Sequence, residues 1–482
     1  MKKILLAVLL PFPALSQPLS KEINEKIKRV ENSLAPTTVY GDSIPNWNIE
    51  ERMKQTGIRG LSIAVIRNYK IDWAKGYGWA DVDEKRKVNT NTRFQAASIS
   101  KSINSLGVLK LAEQGKLDTG ADINNYLKSW KFPYDSISKN KKITINHLLS
   151  HTAGLSIHGF PGYKRDSVLP AIQQLLNGER PANTRAVRSM FAPGLRFQYS
   201  GGGTTISQLI VSDITGRPYD QYMQETVLKP LGMNNSSFRQ PPVDTAVLST
   251  GYYRNGKAVR GKFHVYPEQA AAGLWTTPTD LAKYIIECQL AYEGKSKKVL
   301  SQSMMKARMT PYIDKNAALG VFVIEKGGIQ YFNHNGGNEA FLCTSYGSLS
   351  GGNGVVIMIN GDDFSVVEEL LNSVARVYDW KDFYQPSFKT KVKVPRDSLQ
   401  LLVGRYQLMK DTLSISFCGD ELCIQQNNEP PGGFKMYFSD NSNFTIKEVP
   451  DAQFRVLKNA EGNVEALQLK QGAMTIRAVK LD

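Results

Sequence analysis

Phe94-Gln95-Ala96-Ala97-Ser98-Ile99-Ser100-Lys101 marks a change of periodicity in the chain. From Ser98 onward the apolar residues Ile99, Ile103, Leu106 and Leu109 recur at spacings of four, three and three, which puts them on one face of a helix. Ser98 and Lys101 stand three apart on such a helix, so the amine can reach the hydroxyl. A helix start also offers partial positive charge and free N–H groups to a developing oxyanion. A lysine buried there loses its proton near neutral pH and can serve as a base. The Ser-x-x-Lys tetrapeptide alone says little, because it occurs four times, again at Ser136, Ser138 and Ser303. Ser136 and Ser138 fall in a polar Lys- and Asn-rich loop, and Ser303 sits among methionines on an expected surface helix. Only Ser98 opens a long apolar-faced helix, directly after two small residues.

On the N-terminal side, residues 61–66 and 71–77 read as a strand pair around Arg67-Asn68-Tyr69-Lys70. Before them, residues 21–34 form a charged helix with Ile23, Ile27, Val30 and Leu34 on one side. On the C-terminal side a helical, loop-rich middle carries turn clusters at Ala192-Pro193-Gly194 and Gly201-Gly202-Gly203. Strands return at 320–324, 329–332, 340–346 and 355–359, followed by a helix at 365–377. Strands, then helices, then strands with a closing helix predict an α/β sheet region with a helical subdomain. Beyond a Pro- and Lys-bearing link at 386–396, seven short alternating runs predict an antiparallel sandwich or small barrel.

Composition narrows the classes further. The 482 residues are 41% hydrophobic and 22% charged, ordinary for globular protein and ample for two or three domains. The net charge of +16 comes without any nucleic-acid motif or aromatic–basic interleaving, so nucleic acid is not expected as a partner. Lys2 and Lys3, the apolar run 4–10 and Ala14-Leu15-Ser16 match a secretory leader cleaved after Ser16. The mature protein is therefore expected in the periplasm or secreted, with no membrane anchor. There is no Gly-x-Ser-x-Gly elbow, no His-Glu-x-x-His helix, and no metal spacing among five histidines and four cysteines. No metal and no cofactor are expected. Cys418 and Cys423 flank a hairpin turn at Gly419-Asp420 and are open to either a disulfide or two reduced thiols.

Two further segments bear on Ser98. Phe197-Gln198-Tyr199-Ser200-Gly201 puts a tyrosine in a tight Gly-rich loop, where its hydroxyl can relay a proton. His334-Asn335-Gly336-Gly337 precedes the strand at 340–346, either as an edge-strand start that carries a basic residue and flexible glycines or as a turn with a satisfied histidine. Taken in order with Phe94–Lys101, these segments resemble the serine β-lactamase and penicillin-binding-protein family, in its class C-like branch of esterases, D-amino-acid peptidases and carboxypeptidases. His147-Leu148-Leu149-Ser150-His151-Thr152-Ala153-Gly154-Leu155 and Ala272-Gly273-Leu274-Trp275-Thr276-Thr277-Pro278-Thr279-Asp280-Leu281 resemble the same branch. The likeness covers about residues 45–380. The tail from Leu402-Val403-Gly404-Arg405-Tyr406 is similar to lipocalin-like β domains.

The resemblance implies a β-lactamase/transpeptidase-like α/β (α+β) fold with an antiparallel sheet and a helical subdomain, spanning 17–385, plus a small all-β barrel at 397–482. It implies Ser98 as acyl-accepting nucleophile, with Lys101 and Tyr199 sharing base and acid work, in an order left open. Backbone N–H groups of Ser98 and Gly337 would form the oxyanion hole. His334 would orient Tyr199 or a substrate carboxylate, and Gly201, Asn335, Gly336 and Trp275 would contact substrate. His151 is expected to shape the Gly154 turn. Gly201 stands where the family has asparagine and His334 where it has lysine, which favours a small ester or amide, or a D-amino-acid peptide, over a β-lactam. A class C-like β-lactamase and a catalytically silent ligand-binding protein are the alternatives. The expected partner is a small-molecule or short-peptide substrate; the oligomeric state is not legible.

Overall fold

The alternating residues near the start of the sheet close into a hairpin. β1 (Gly60–Arg67) pairs antiparallel with β2 (Lys70–Asp81), Val65 opposite Trp73 and Arg67 opposite Lys70. Asn68 and Tyr69 turn it with φ of 52° and 60°, the left-handed pair whose twist suits a two-residue hairpin. The computed structural model describes residues 20–426, 433–446, 449–471 and 474–481; the expected leader at 1–16 lies outside them.

Four later strands complete the sheet: β3 (Phe322–Lys326), β4 (Ile329–Asn338), β5 (Phe341–Ser348) and β6 (Gly354–Ile359). Their order is β2-β1-β6-β5-β4-β3, with a short strand Arg86–Lys87 outside β2, and the pairings are antiparallel. Six helices frame the sheet and its cleft: α1 (Lys21–Glu31), α2 (Ile99–Glu113), α3 (Gly201–Thr215), α4 (Gln269–Ala272), α5 (Pro278–Tyr292) and α6 (Ser365–Val377). α1 and α6 cover one face of the sheet over Ile63, Val65, Ile357, Val366 and Leu370. α2 and α5 cover the other over Ile103, Leu106, Val356, Leu281 and Ile285, and the rest of the helical subdomain builds on them. Both faces of β1 and β6 are thus buried, which is why these strands read as unbroken apolar runs.

The structure decides one expectation and corrects another. His334-Asn335-Gly336-Gly337 is strand rather than turn: β4 runs through it, because β5 supplies a continuous ladder from His334 opposite Ser345 to Gly337 opposite Leu342. β3 stops at the Phe322–Asn333 pair, so the other edge of β4 is open from His334 onward. α2 is buried around its whole girth rather than along one stripe. Its polar residues are small and bonded: Ser100 Oγ accepts the Leu274 N–H at 3.0 Å, and Asn104 Nδ2 donates to Ser207 Oγ at 3.0 Å.

The tail is a closed barrel of eight strands, Gly404–Leu408 through Met474–Lys480. The first strand, which local alternation does not reveal, closes it by pairing with the last, Tyr406 opposite Lys480. Eight strands leave an interior that side chains fill, here with Phe438, Phe444 and Phe454, the last two stacked at 4.8 Å. Cys418 and Cys423 form a disulfide across their hairpin, with Cα atoms 5.8 Å apart; Cys288 and Cys343 are buried free thiols. The expected link is docked rather than loose. Its strand Ser387–Lys389 pairs in parallel with Thr38–Tyr40, and Tyr40 stacks on Tyr437 of the barrel at 3.9 Å. No helix among the described residues is long and apolar enough to cross a membrane.

Candidate active site

The start of α2 is fastened before the helix begins. Phe94–Gln95 pairs with Trp275–Thr276, and the Ala96 N–H donates to Leu274 O at 2.8 Å. Ala97 then takes φ +45°, a left-handed conformation that costs a non-glycine residue energy and swings the chain into the helix. Ser98 follows as N-cap residue without using its side chain to cap, so its hydroxyl is free to face the cleft. Its N–H donates to no backbone carbonyl among the described residues.

Lys101, one turn on, is 3% exposed. Its Nζ lies 3.0 Å from Ser98 Oγ and 2.7 Å from Ala271 O at the end of α4. Carboxylates are missing from both contacts. Burial without a counter-charge pushes the amine down to about 7, so near neutral pH a large share of it is the free base. Tyr199 lines the same cleft as Ser98; burial, the larger effect, outweighs the influence of Ser98 and raises its hydroxyl far above the ordinary range, so it stays protonated. The Lys101 Nζ is 5.1 Å from the Tyr199 ring centre.

Tyr199 is held by a residue whose role is larger than its sequence suggested. His151 does not merely shape the Gly154 turn. Its carbonyl accepts the Gln198 N–H at 2.7 Å and its Nδ1 accepts the Ser200 N–H at 3.2 Å. It thus grips both amides that flank Tyr199, and its ring lies against the Tyr199 ring at 4.2 Å. Burial, then the nearby Lys101, holds His151 neutral, as the acceptor role requires.

The open edge of β4 forms the facing wall of a cleft of about 680 Å³ that also contains Ser98, Tyr199, Phe197 and Phe322. Gly336 lets this strand pass over α2: a Cβ there would meet Ala96 O at 2.4 Å and Cys343 Sγ at 2.5 Å. Gly337 lines the cleft beside Ser98, and the next residue anchors it. Asn338 Nδ2 donates to Gln95 Oε1 at 2.7 Å and to Ala272 O at 3.1 Å, tying β4 to the segments before and after the lysine pocket. His334 is 3% exposed, with Nδ1 2.6 Å from Asn335 O. Burial, then Lys101, pushes it down to about 3, so it carries no charge to offer a carboxylate.

Two expected substrate contacts, Trp275 and Gly201, are corrected. Trp275 is 1% exposed and packs edge-on against Phe263 and Phe341, so it fills the core. Asn335 does line the cleft, but its side chain alternates with that of His334 along the strand and accepts from Thr344 Oγ1 at 2.6 Å. Gly201 lies under the segment at 158–160: its N–H donates to His158 O at 3.0 Å, and a Cβ would meet Phe160 at 2.9 Å. The volume that an asparagine would need is occupied. His158 and Gly159 line the cleft instead, and no local pattern in the chain marks them. No group of three or more His, Cys, Asp or Glu side chains among the described residues is placed to hold a metal.

Comparison with known proteins agrees with this arrangement. Protein flp of Staphylococcus aureus (strain N315) is 30% identical over 263 residues, 53% of this chain and 50% of that protein, so the chain spans about half the length of this relative. PbpX of Bacillus subtilis (strain 168) is 25% identical over 358 residues, covering 73% and 82%. In fold, the chain is similar to an octameric penicillin-binding protein homologue from Pyrococcus abyssi (TM-score 0.59, 19% identity, 90% and 98% of the two chains). It is also similar to a D-amino acid amidase from Ochrobactrum anthropi SV3 (TM-score 0.57, 17% identity, 74% and 98%). The model of the Beta-lactamase family matches residues 46–377, the whole body that carries Ser98, Lys101 and Tyr199, and the chain therefore belongs to that family of serine hydrolases.

Proposed function

We propose that the protein is an exported serine hydrolase that cleaves small, uncharged esters or amides, amino-acid amides included, through an acyl-enzyme on Ser98. The observation that carries this reading is a Ser98–Lys101–Tyr199 cluster set in a cleft lined by Phe197, Phe322 and Phe364, with no Asp, Glu or Arg among the described residues on its wall. Lys101, free base in large part at pH 7, takes the Ser98 proton as Oγ bonds to the acyl carbon. The new oxyanion sits between the N–H groups of Ser98 and Gly337. Tyr199, kept protonated, gives its proton to the leaving oxygen or nitrogen as the acyl bond breaks, and the Lys101 ammonium restores it. Water then releases the acyl group by the reverse sequence.

A neutral His334 supplies no cation for a free carboxylate, which argues for an ester or amide carbonyl rather than a C-terminal acid or a β-lactam carboxylate. The D-amino acid amidase of the same fold is consistent with amide substrates. Export rests on the leader-like residues 1–16.

The test is a profile over p-nitrophenyl esters, D- and L-amino-acid amides and nitrocefin, with wild type and Ser98→Ala. Ester or amide turnover that disappears in Ser98→Ala, with fluorophosphonate label on Ser98, is expected. Full turnover in Ser98→Ala overturns the mechanism. A folded protein that takes no label would be a ligand-binding descendant of the family, and faster nitrocefin than ester turnover would make it a β-lactamase.

A further inference from the structure

On the face of the sheet away from Ser98 lies a second cavity, of about 260 Å³. It is lined by α6, the β4–β5 pair, the end of β3, Thr37 and the segment at 383–385, and is partly open to solvent. Tyr346, Phe364 and Phe383 give it aromatic walls. Two charged side chains also line it, Lys326 at the end of β3 and Glu368 on α6, both partly buried. They form no ion pair with each other or with any described residue within 4.0 Å.

An ammonium and a carboxylate that share so small a space attract each other strongly once water is partly excluded. Here they are carried on separate packed elements, a strand end and a helix, and stand beyond the 4.0 Å of an ion pair. Each is left without the partner that partly buried charges normally have. A molecule bearing both charges completes both pairs at once. The volume is below the roughly 300–1,000 Å³ of sites for drug-sized ligands, so the occupant is small. We propose that this cavity binds a single zwitterionic α-amino acid, its carboxylate on Lys326, its ammonium on Glu368 and its side chain against Tyr346 and Phe383.

The cavity adjoins the cleft. Phe364 and Asn335 line both, and Asn335 precedes Gly336 and Gly337 on the strand that faces Ser98. An amino acid held here therefore touches the back of the cleft wall without entering the cleft. Its binding is independent of the chemistry of Ser98 and is read directly.

The experiment is calorimetric titration of the full chain with L- and D-leucine, and with N-acetyl-leucine amide, which lacks both charges. One leucine per chain is expected, with Kd at least tenfold lower than for the neutral amide. Lys326→Gln and Glu368→Gln are each expected to raise Kd for leucine at least fivefold. Lys326→Arg, which keeps the charge, is expected to stay within fivefold, and thermal melting checks that each variant is folded. No saturable leucine binding, equal binding of the neutral amide, or retention of wild-type affinity in folded Lys326→Gln and Glu368→Gln overturns the proposal, the last by placing the ligand elsewhere.

Discussion

Lys101→Met separates the two consequences of burying an amine. Folding carries this amine from its ordinary 10.5 to about 7. A group whose pKa falls on folding binds its proton more tightly when unfolded, so stability rises with pH between about 7 and 10.5 and the penalty is fullest below that window. At about 1.36 kcal/mol per pH unit, the wild type carries a penalty of about 4–5 kcal/mol at pH 7, about 3 at pH 8 and under about 1 near pH 10. Methionine is unbranched and apolar and removes the penalty, but it leaves Ala271 O buried without a donor, at about 1–3 kcal/mol. The variant should therefore be about 2–3 kcal/mol more stable than wild type at pH 7 and about 1 kcal/mol less stable near pH 10. Its acylation rate should fall about 10²–10⁴-fold with loss of the base. Urea unfolding followed by tryptophan fluorescence at pH 7, 8.5 and 10 measures the first effect, and the p-nitrophenol burst measures the second. A variant less stable than wild type at pH 7, or a difference that does not change with pH, would refute the picture of an uncompensated amine.

The other expectations are independent of that one. His151→Phe keeps a ring against Tyr199 but strands the buried Ser200 N–H, so a loss of about 10–100-fold in kcat/KM should appear together with about 1–3 kcal/mol of lost stability in urea titration. Gly336→Ala forces a methyl into Ala96 O and Cys343 Sγ, so a loss of about 1–3 kcal/mol in urea titration and loss of Ser98 labelling should appear together. Asp81 is buried; burial alone would raise its pKa, but bonds from Lys262 and Thr250 prevail and bring it down to about 2. Its stabilisation is present above about pH 4 and lost as the pH falls toward 2. Asp81→Asn should therefore shrink the stability difference between pH 6 and pH 2 by about 2 kcal/mol.

Local periodicity exposes the β1–β2 hairpin, α6 at its observed ends, and the helix that Ser98 opens, because each depends on residues close in sequence. The family's motifs add Tyr199. What stays hidden depends on distant partners. His151 grips amides almost fifty positions later, and nothing in its own neighbourhood marks it. Asn335 lines the cleft, yet strand alternation directs its side chain to Thr344, and no local pattern marks that partner. A glycine pair becomes strand when a neighbouring strand supplies the ladder. The barrel's first strand is hidden for the same reason, since only its pairing with the last strand completes it. Trp275 shows the converse: a motif position near a site can be spent on packing.

The parallel pairing of Thr38–Tyr40 with Ser387–Lys389 joins two segments that both lie outside the stretch matched by the family model. These two strands are therefore halves of one clasp split across the chain, while α1, also ahead of the matched stretch, packs on the hydrolase sheet. Trimming to the family boundaries at residue 46 deletes one half of the clasp and bares a strand edge on the other, a surface prone to pairing with other copies. The same cut removes α1 and bares the apolar sheet face that it covers.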